Sequence, residues 1–120
     1  MLRFLYGWFV VRDTRKTLAE VGKLTADTQR DLARRFGAAV EGVEDQMRGP
    51  NPGTAFVHQM MAAKAARHEA LARGATHWRD PDWAAAALLE SYLMGRSGRL
   101  GSGVSARVNG MLADWVRRVG

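Results

Sequence analysis

A chain of 120 residues is long enough to bury its own core and short enough to form a single domain. Its 47% hydrophobic and 25% charged residues exclude a chain disordered throughout, and the absence of cysteine excludes disulfides, thiolate metal sites and thiol nucleophiles while fitting a reducing, cytoplasmic setting. A net charge of +6 and a pI near 10.7 point to a polyanionic partner, nucleic acid foremost.

The opening stretch, Met-Leu-Arg-Phe-Leu-Tyr-Gly-Trp-Phe-Val-Val over residues 1–11, is apolar but far shorter than the ~20 residues a membrane-spanning helix needs. No small-residue cleavage site precedes Arg12 and Asp13. Residues 1–12 are therefore expected to dock on the core or on a partner. Resting on a membrane surface is the lesser alternative, because the segment lacks a basic polar face. The stretch either extends a helix upstream or forms a short strand, with helix favoured.

Helix signals begin at Asp13. Thr17-Leu-Ala-Glu20 has the form of a capping box, in which the Glu returns a hydrogen bond to the cap residue. Leu18, Val21, Leu24, Thr28, Leu32, Phe36, Val40, Val43 and Met47 then recur at steps of three or four, an apolar stripe of helical period. Gly22 and the potential N-cap Thr25 divide this stripe into two helices. The sequence Gly49-Pro-Asn-Pro-Gly53 breaks the chain. Thr54 is expected to cap a helix that runs to about Arg73 and closes on Gly74.

Asp80-Pro-Asp-Trp83 gives the sharpest start in the chain: Asp80 caps, Pro81 fills the first helical position and Asp82 meets the positive end of the dipole. That helix is expected to reach about Met94. Residues 95–103, rich in glycine, form a connector, and a last helix turns Val104, Val108, Met111, Leu112, Trp115 and Val119 inward. The fold class is all-α, a single-domain bundle of four to five helices over residues 1–120.

Catalytic patterns are missing. His58 and His68 are ten residues apart and His77 lies beyond the helix terminator, whereas a helical metal pair needs a spacing of three or four. Glu41, Glu44 and Asp45 share one helix, and a single helix face cannot oppose two carboxylates across a cleft. The 95–103 connector has neither the Gly-Lys-Ser/Thr of a P-loop nor a preceding strand. No metal, cofactor or enzymatic activity is expected.

The cations are mostly arginine, with only Lys16, Lys23 and Lys64 as lysines. Arginine's planar fork suits phosphate, although a GC-rich coding bias raises arginine, alanine and glycine together. Residues 1–45 carry eight basic and seven acidic groups, and residues 46–120 carry ten and five, so a polyanion is expected to meet mainly the C-terminal part. Lys64, Arg67 and Arg73 share a helix with only Glu69 as an acid. Arg107 and Arg118 lie three turns apart on one face. With Arg30, Arg34, Arg35, Arg96 and Arg99 they make up the candidate nucleic-acid surface, which would contact phosphates without reading bases. Phe4, Trp8, Phe9 and Trp78 are the candidate protein-contact residues, since aromatics beside arginine are typical anchors. Trp83 and Trp115 fit core positions.

Through its arginine-bearing helices (Arg30, Arg34, Arg35, Lys64, Arg67, Arg107, Arg118) and its apolar first segment, the chain resembles the small α-helical subunits of CRISPR effector ribonucleoproteins. The likeness is one of size, charge and helix content over the whole chain and involves no diagnostic motif. It implies a non-catalytic subunit that stacks with copies of itself and takes RNA or single-stranded DNA as ligand. The expected function is sequence-independent binding of a nucleic-acid backbone within a larger assembly. The alternative is a protein–protein adaptor, or a structural component of a phage or secretion assembly, that docks through the apolar first segment.

Overall fold

The computed structural model describes residues 2–74 and 80–120, with the side chains of residues 2–5 left aside. Five α-helices follow one another: α1 Leu2–Val21, α2 Ala26–Met47, α3 Pro52–Ala72, α4 Pro81–Arg96 and α5 Ser102–Val119. No strand occurs among the described residues, so the all-α reading holds.

Residues 2–12 are not a separate element, because α1 runs unbroken through them. The capping box at Thr17 does not form. Thr17 is fully buried inside α1, where the continuing helix already satisfies the backbone N–H groups that a cap would serve. Glu20 turns instead to Lys23, at 3.1 Å. The break comes at Gly22–Thr25, where the Thr25 hydroxyl accepts from the Thr28 N–H.

Thr54 is likewise not a cap. The third helix starts two residues earlier, with Asn51 at the N-cap and Pro52 at the first turn, because proline's fixed φ suits that position. At the far end Gly74 takes φ +85°, the left-handed closure expected there. Asp80 caps α4 by accepting from the N–H groups of Asp82 and Trp83, at 2.8 and 3.1 Å. The connector is shorter than the glycine pattern implies. Gly95 and Arg96 belong to α4 and Ser102 opens α5, which leaves residues 97–101 between them.

Successive helices alternate in direction around α4, which touches the other four. Its run of alanines, Ala84 to Ala87, favours helix and lets neighbours come close. Trp83, Ala84, Ala86, Ala87, Leu88, Ser91, Leu93 and Gly95 are all buried, as expected for a helix surrounded on most sides. The main core joins Val11 and Val21 of α1, Leu32 and Phe36 of α2, Leu88 of α4, and Val108, Leu112 and Trp115 of α5. Phe36 meets the rings of Tyr92 and Trp115 edge-on, both at 6.1 Å. A smaller cluster of Val43, Ala63 and Leu93 seals α2 and α3 against α4.

Two polar links cross the bundle. Thr14 donates to Ser91 at 3.0 Å in the interior, fixing α1 on α4. Glu44 of α2 accepts two hydrogen bonds from the Arg96 guanidinium, at 2.7 and 2.9 Å, and a third from the Tyr92 hydroxyl. These donors, Arg96 foremost, hold the Glu44 carboxyl down at about 2, while burial and the same carboxylate push the Tyr92 hydroxyl up to about 12.

The sign of the resulting pH dependence follows. A carboxyl depressed in the folded state adds stability above its ordinary pKa and loses it as pH falls toward the depressed value. Glu44→Gln is expected to lower stability at neutral pH by about 1–2 kcal/mol, or roughly 3–8 °C in Tm. Thermal melts should show the gap between wild type and variant closing as pH drops from about 4.5 towards about 2.

Candidate nucleic-acid interface

Folding pairs most of the candidate cations with carboxylates. Arg30 is bonded to Asp27 and Arg34 to Asp31, each one turn away on α2. Arg35 reaches Asp82 at 2.9 Å, and Arg73 reaches Asp82 at 3.2 Å and Glu69 at 3.3 Å. Arg67, expected to lack an acid, is bonded to Glu90 at 2.6 Å, and its guanidinium lies 4.4 Å from the Trp83 ring centre. Arg96 is held by Glu44 and is not free to serve a phosphate loop.

The acids on α4 explain this outcome. Asp82 and Glu90 lie far from Arg35 and Arg67 in sequence, and only the packing of α2 and α3 on α4 brings them together. Six of the ten arginine and lysine candidates are therefore engaged in ion pairs. Lys64, Arg99, Arg107 and Arg118 have no carboxylate in salt-bridge range among the described residues.

A different cationic surface emerges where α1 lies parallel to α5. Gly7 faces Val104 and the Leu100 carbonyl so closely that an added Cβ would stand 3.3 Å from the valine methyl. A Cβ there would require the Val104 side chain to give by a few tenths of an ångström. Further along, Arg15, Leu18 and Ala19 of α1, Gly22 and Lys23 just after it, and Met111, Asp114 and Arg118 of α5 line an open groove of about 480 Å³. Arg12 and Arg15 are exposed on the outer side of α1, about one turn apart. Arg107 and Arg118 are exposed on α5, about 16 Å apart along its axis.

Arg15 likewise has no acidic partner among the described residues. The acids nearest the seam are already committed, Asp114 to Arg117 and Glu20 to Lys23. The seam therefore keeps its positive charge, whereas the arginines of α2, α3 and α4 are neutralised locally.

The aromatic residues of α1 adjoin this seam. Trp8 and Phe9 are 51% and 54% exposed and pack edge to face, with ring centres 5.3 Å apart. The Arg12 guanidinium lies over the Trp8 ring, 5.5 Å from its centre. Charge and aromatic character, which the linear sequence places at opposite ends of the chain, thus meet on one surface. Sequence reading missed Arg12 and Arg15. Their signal was the step from Trp8 to Arg12 to Arg15, which repeats at four and three residues along an exposed flank of α1. Phe4 belongs to α1, but its side chain lies outside the described residues, and so does Trp78. Further apolar groups stand exposed on α3, namely Val57, Met61 and Leu71.

The described residues contain no group of three His, Cys, Asp or Glu side chains that could hold a metal ion. His58 and His68 are exposed on α3, and His77 lies outside the described residues. A cleft of about 340 Å³ opens among Tyr6, Phe9, Asp13, Arg67, Glu90, Ser91 and Met94. Burial raises the Asp13 carboxyl and nearby Glu90 raises it further, against the pull of Arg67 and Lys16. The Ser91 hydroxyl there already accepts from Thr14, and no histidine among the described residues lines the cleft to form a nucleophile–base pair. No helix of the described residues is long and apolar enough to cross a membrane. Comparisons with family models, with curated proteins and with solved structures give no match.

Proposed function

We propose that this chain is a non-enzymatic subunit that binds a nucleic-acid backbone without reading its sequence, through the seam between α1 and α5. The carrying observation is the survival of unpaired charge at Arg15, Arg107 and Arg118 in a bundle whose other arginines are mostly bonded to carboxylates. Arginines left with open donors and flanking a groove suit bidentate phosphate contact. A seam made of helix flanks would contact phosphate oxygens and not enter a groove to read base edges. Arg99 in the connector and Lys64 on α3 are secondary candidates. Residence within a larger, CRISPR-type assembly belongs to the same proposal.

Titration of the purified chain with fluorescently labelled RNA and DNA at two salt concentrations tests it. Binding should be tight at low salt and fall steeply as salt rises, because released counterions drive it. Failure to bind either polymer at low salt would end the proposal.

A second reading has its own support. Val57 and Met61, four residues apart on α3, are 52% and 64% exposed, a neighbouring apolar pair of the kind that anchors subunit contacts. Under that reading the chain is an adaptor or structural subunit, and substitution of Met61 and Val57 by Ser would disperse an assembly while leaving nucleic-acid retention intact.

A further inference from the structure

We infer that Trp8, standing beside the cationic seam under the Arg12 guanidinium, is a stacking platform for an unpaired base, so that the ligand is a single strand and not a duplex. The inference rests on the proposed backbone-binding function and adds the class of polymer to it.

Helix α1 carries two kinds of residue on neighbouring faces. Gly7, Val11, Thr14, Thr17 and Val21 are buried, and Gly7 is pressed against Val104. Trp8, Arg12 and Arg15 follow one another along the exposed flank beside that face. The indole is therefore not a core residue that failed to fit. The same chain buries its other described tryptophans, Trp83 and Trp115, almost completely.

What surrounds the ring matters more than its exposure. Phe9 buttresses Trp8 edge-on, which restricts the indole without covering both of its faces. Arg12 supplies a cation within cation–π range of the ring and is followed one turn later by Arg15 on the same side. A stacking aromatic next to a track of cations is the combination by which proteins hold single strands without sequence preference: each base has a π-face, and the cations follow the phosphates. A duplex can use the cations but not the indole, because its bases already stack on one another. The area's charge also disfavours a cationic partner on this face and favours a polyanion.

The test compares wild type, Trp8→Ala and Trp8→Phe for binding to short oligo-dT, to an abasic strand of the same length and to a duplex, all at one low salt concentration, by fluorescence anisotropy. Wild type should prefer oligo-dT to the abasic strand. Trp8→Ala should lose about 5- to 100-fold on oligo-dT, since stacking contributes about 1–3 kcal/mol per base. The same variant should change abasic and duplex binding by less than about twofold, and Trp8→Phe should keep most of the wild-type affinity.

Equal effects of Trp8→Ala on all three polymers, or no effect on any, would overturn the stacking inference while leaving the phosphate track standing. A variant that altered only self-association in light scattering would assign the aromatic patch to protein contact and overturn it too. If wild type bound none of the three polymers, the underlying function would fall along with the inference.

Discussion

Replacing Arg15, Arg107 and Arg118 together by Glu is expected to weaken nucleic-acid binding by about a hundredfold or more at low salt. Each of these side chains is exposed and has no acid within bonding distance among the described residues, so the wild-type protein offers three full positive charges along one seam. Losing a single charge-assisted phosphate contact is taken as about 1 kcal/mol at a solvated surface, and each 1.4 kcal/mol is a factor of ten. Reversal adds repulsion to the three lost contacts. The salt dependence gives a second reading of the same event. For a single strand each neutralised phosphate contributes about 0.7 to the slope of log affinity against log salt, so the triple variant should be shallower by about two.

The fold should not notice the change. None of the three arginines holds a carboxylate, and Tm should stay within a few degrees of wild type. The matched control is Arg30→Gln with Arg34→Gln on α2. Those guanidiniums are bonded to Asp27 and Asp31, and removing them should change binding by no more than about threefold. If instead the α2 control abolished binding and the seam triple did not, the polyanion would have to be placed on the other side of α5. There Arg30 and Arg34 border a groove of about 600 Å³ with Val116.

The second large effect is on stability. Leu88 has no solvent exposure and sits on the central helix, in the core shared with Leu32, Leu112 and Trp115. Leu88→Ala removes its buried methyl groups and leaves a cavity that the surrounding α1, α2 and α5 cannot close without moving together. A cost of roughly 3–5 kcal/mol is expected, against total stabilities of about 5–15 kcal/mol for native domains. Chemical denaturation should show the midpoint falling by a corresponding fraction with the slope unchanged. Met61→Ala on exposed α3 should shift the same midpoint by no more than about 0.5 kcal/mol equivalent. An equally small loss at Leu88 would mean that α4 is not the centre of the bundle.

The helices themselves were legible because their signals are local. Asp80 with Pro81, Thr25 after Gly22, and Gly74 each mark a boundary through their own backbone preferences, and the structure uses all of them. The misplaced boundaries have local causes too. Thr17 and Glu20 have the residue types of a capping box, but a capping box needs a chain that is not already helical, and α1 arrives there as a helix. Pro52 starts α3 ahead of Thr54 because proline at the first turn needs no side-chain cap. Gly95 reads as a loop residue, yet it is buried in α4, where an added Cβ would stand 2.7 Å from the Asn109 amide oxygen. A close approach between helices looks the same as a turn when only the glycine is visible.

The cationic surface was far less legible, for a physical reason. Whether an arginine is free depends on acids brought to it by tertiary packing, and Asp82 and Glu90 are distant in sequence from every arginine they engage except Arg73. Counting charge by segment placed the polyanion on the C-terminal part. Packing α1 parallel to α5 instead joins Arg12 and Arg15 from the nearly neutral first part to Arg107 and Arg118 from the basic second part. Only the three- and four-residue step of Trp8, Arg12 and Arg15 along α1 carried that information in the sequence itself.

The most direct measurement of this account is a map of backbone and arginine side-chain NMR shifts as oligo-dT is added to the isotopically labelled protein at low salt. The seam account predicts perturbations concentrated on Trp8, Arg12, Arg15, Arg107 and Arg118, with the outer face of α3 around Val57 and Met61 unchanged. Perturbations centred on α3, or on the paired arginines of α2 with α1 and α5 silent, would contradict it.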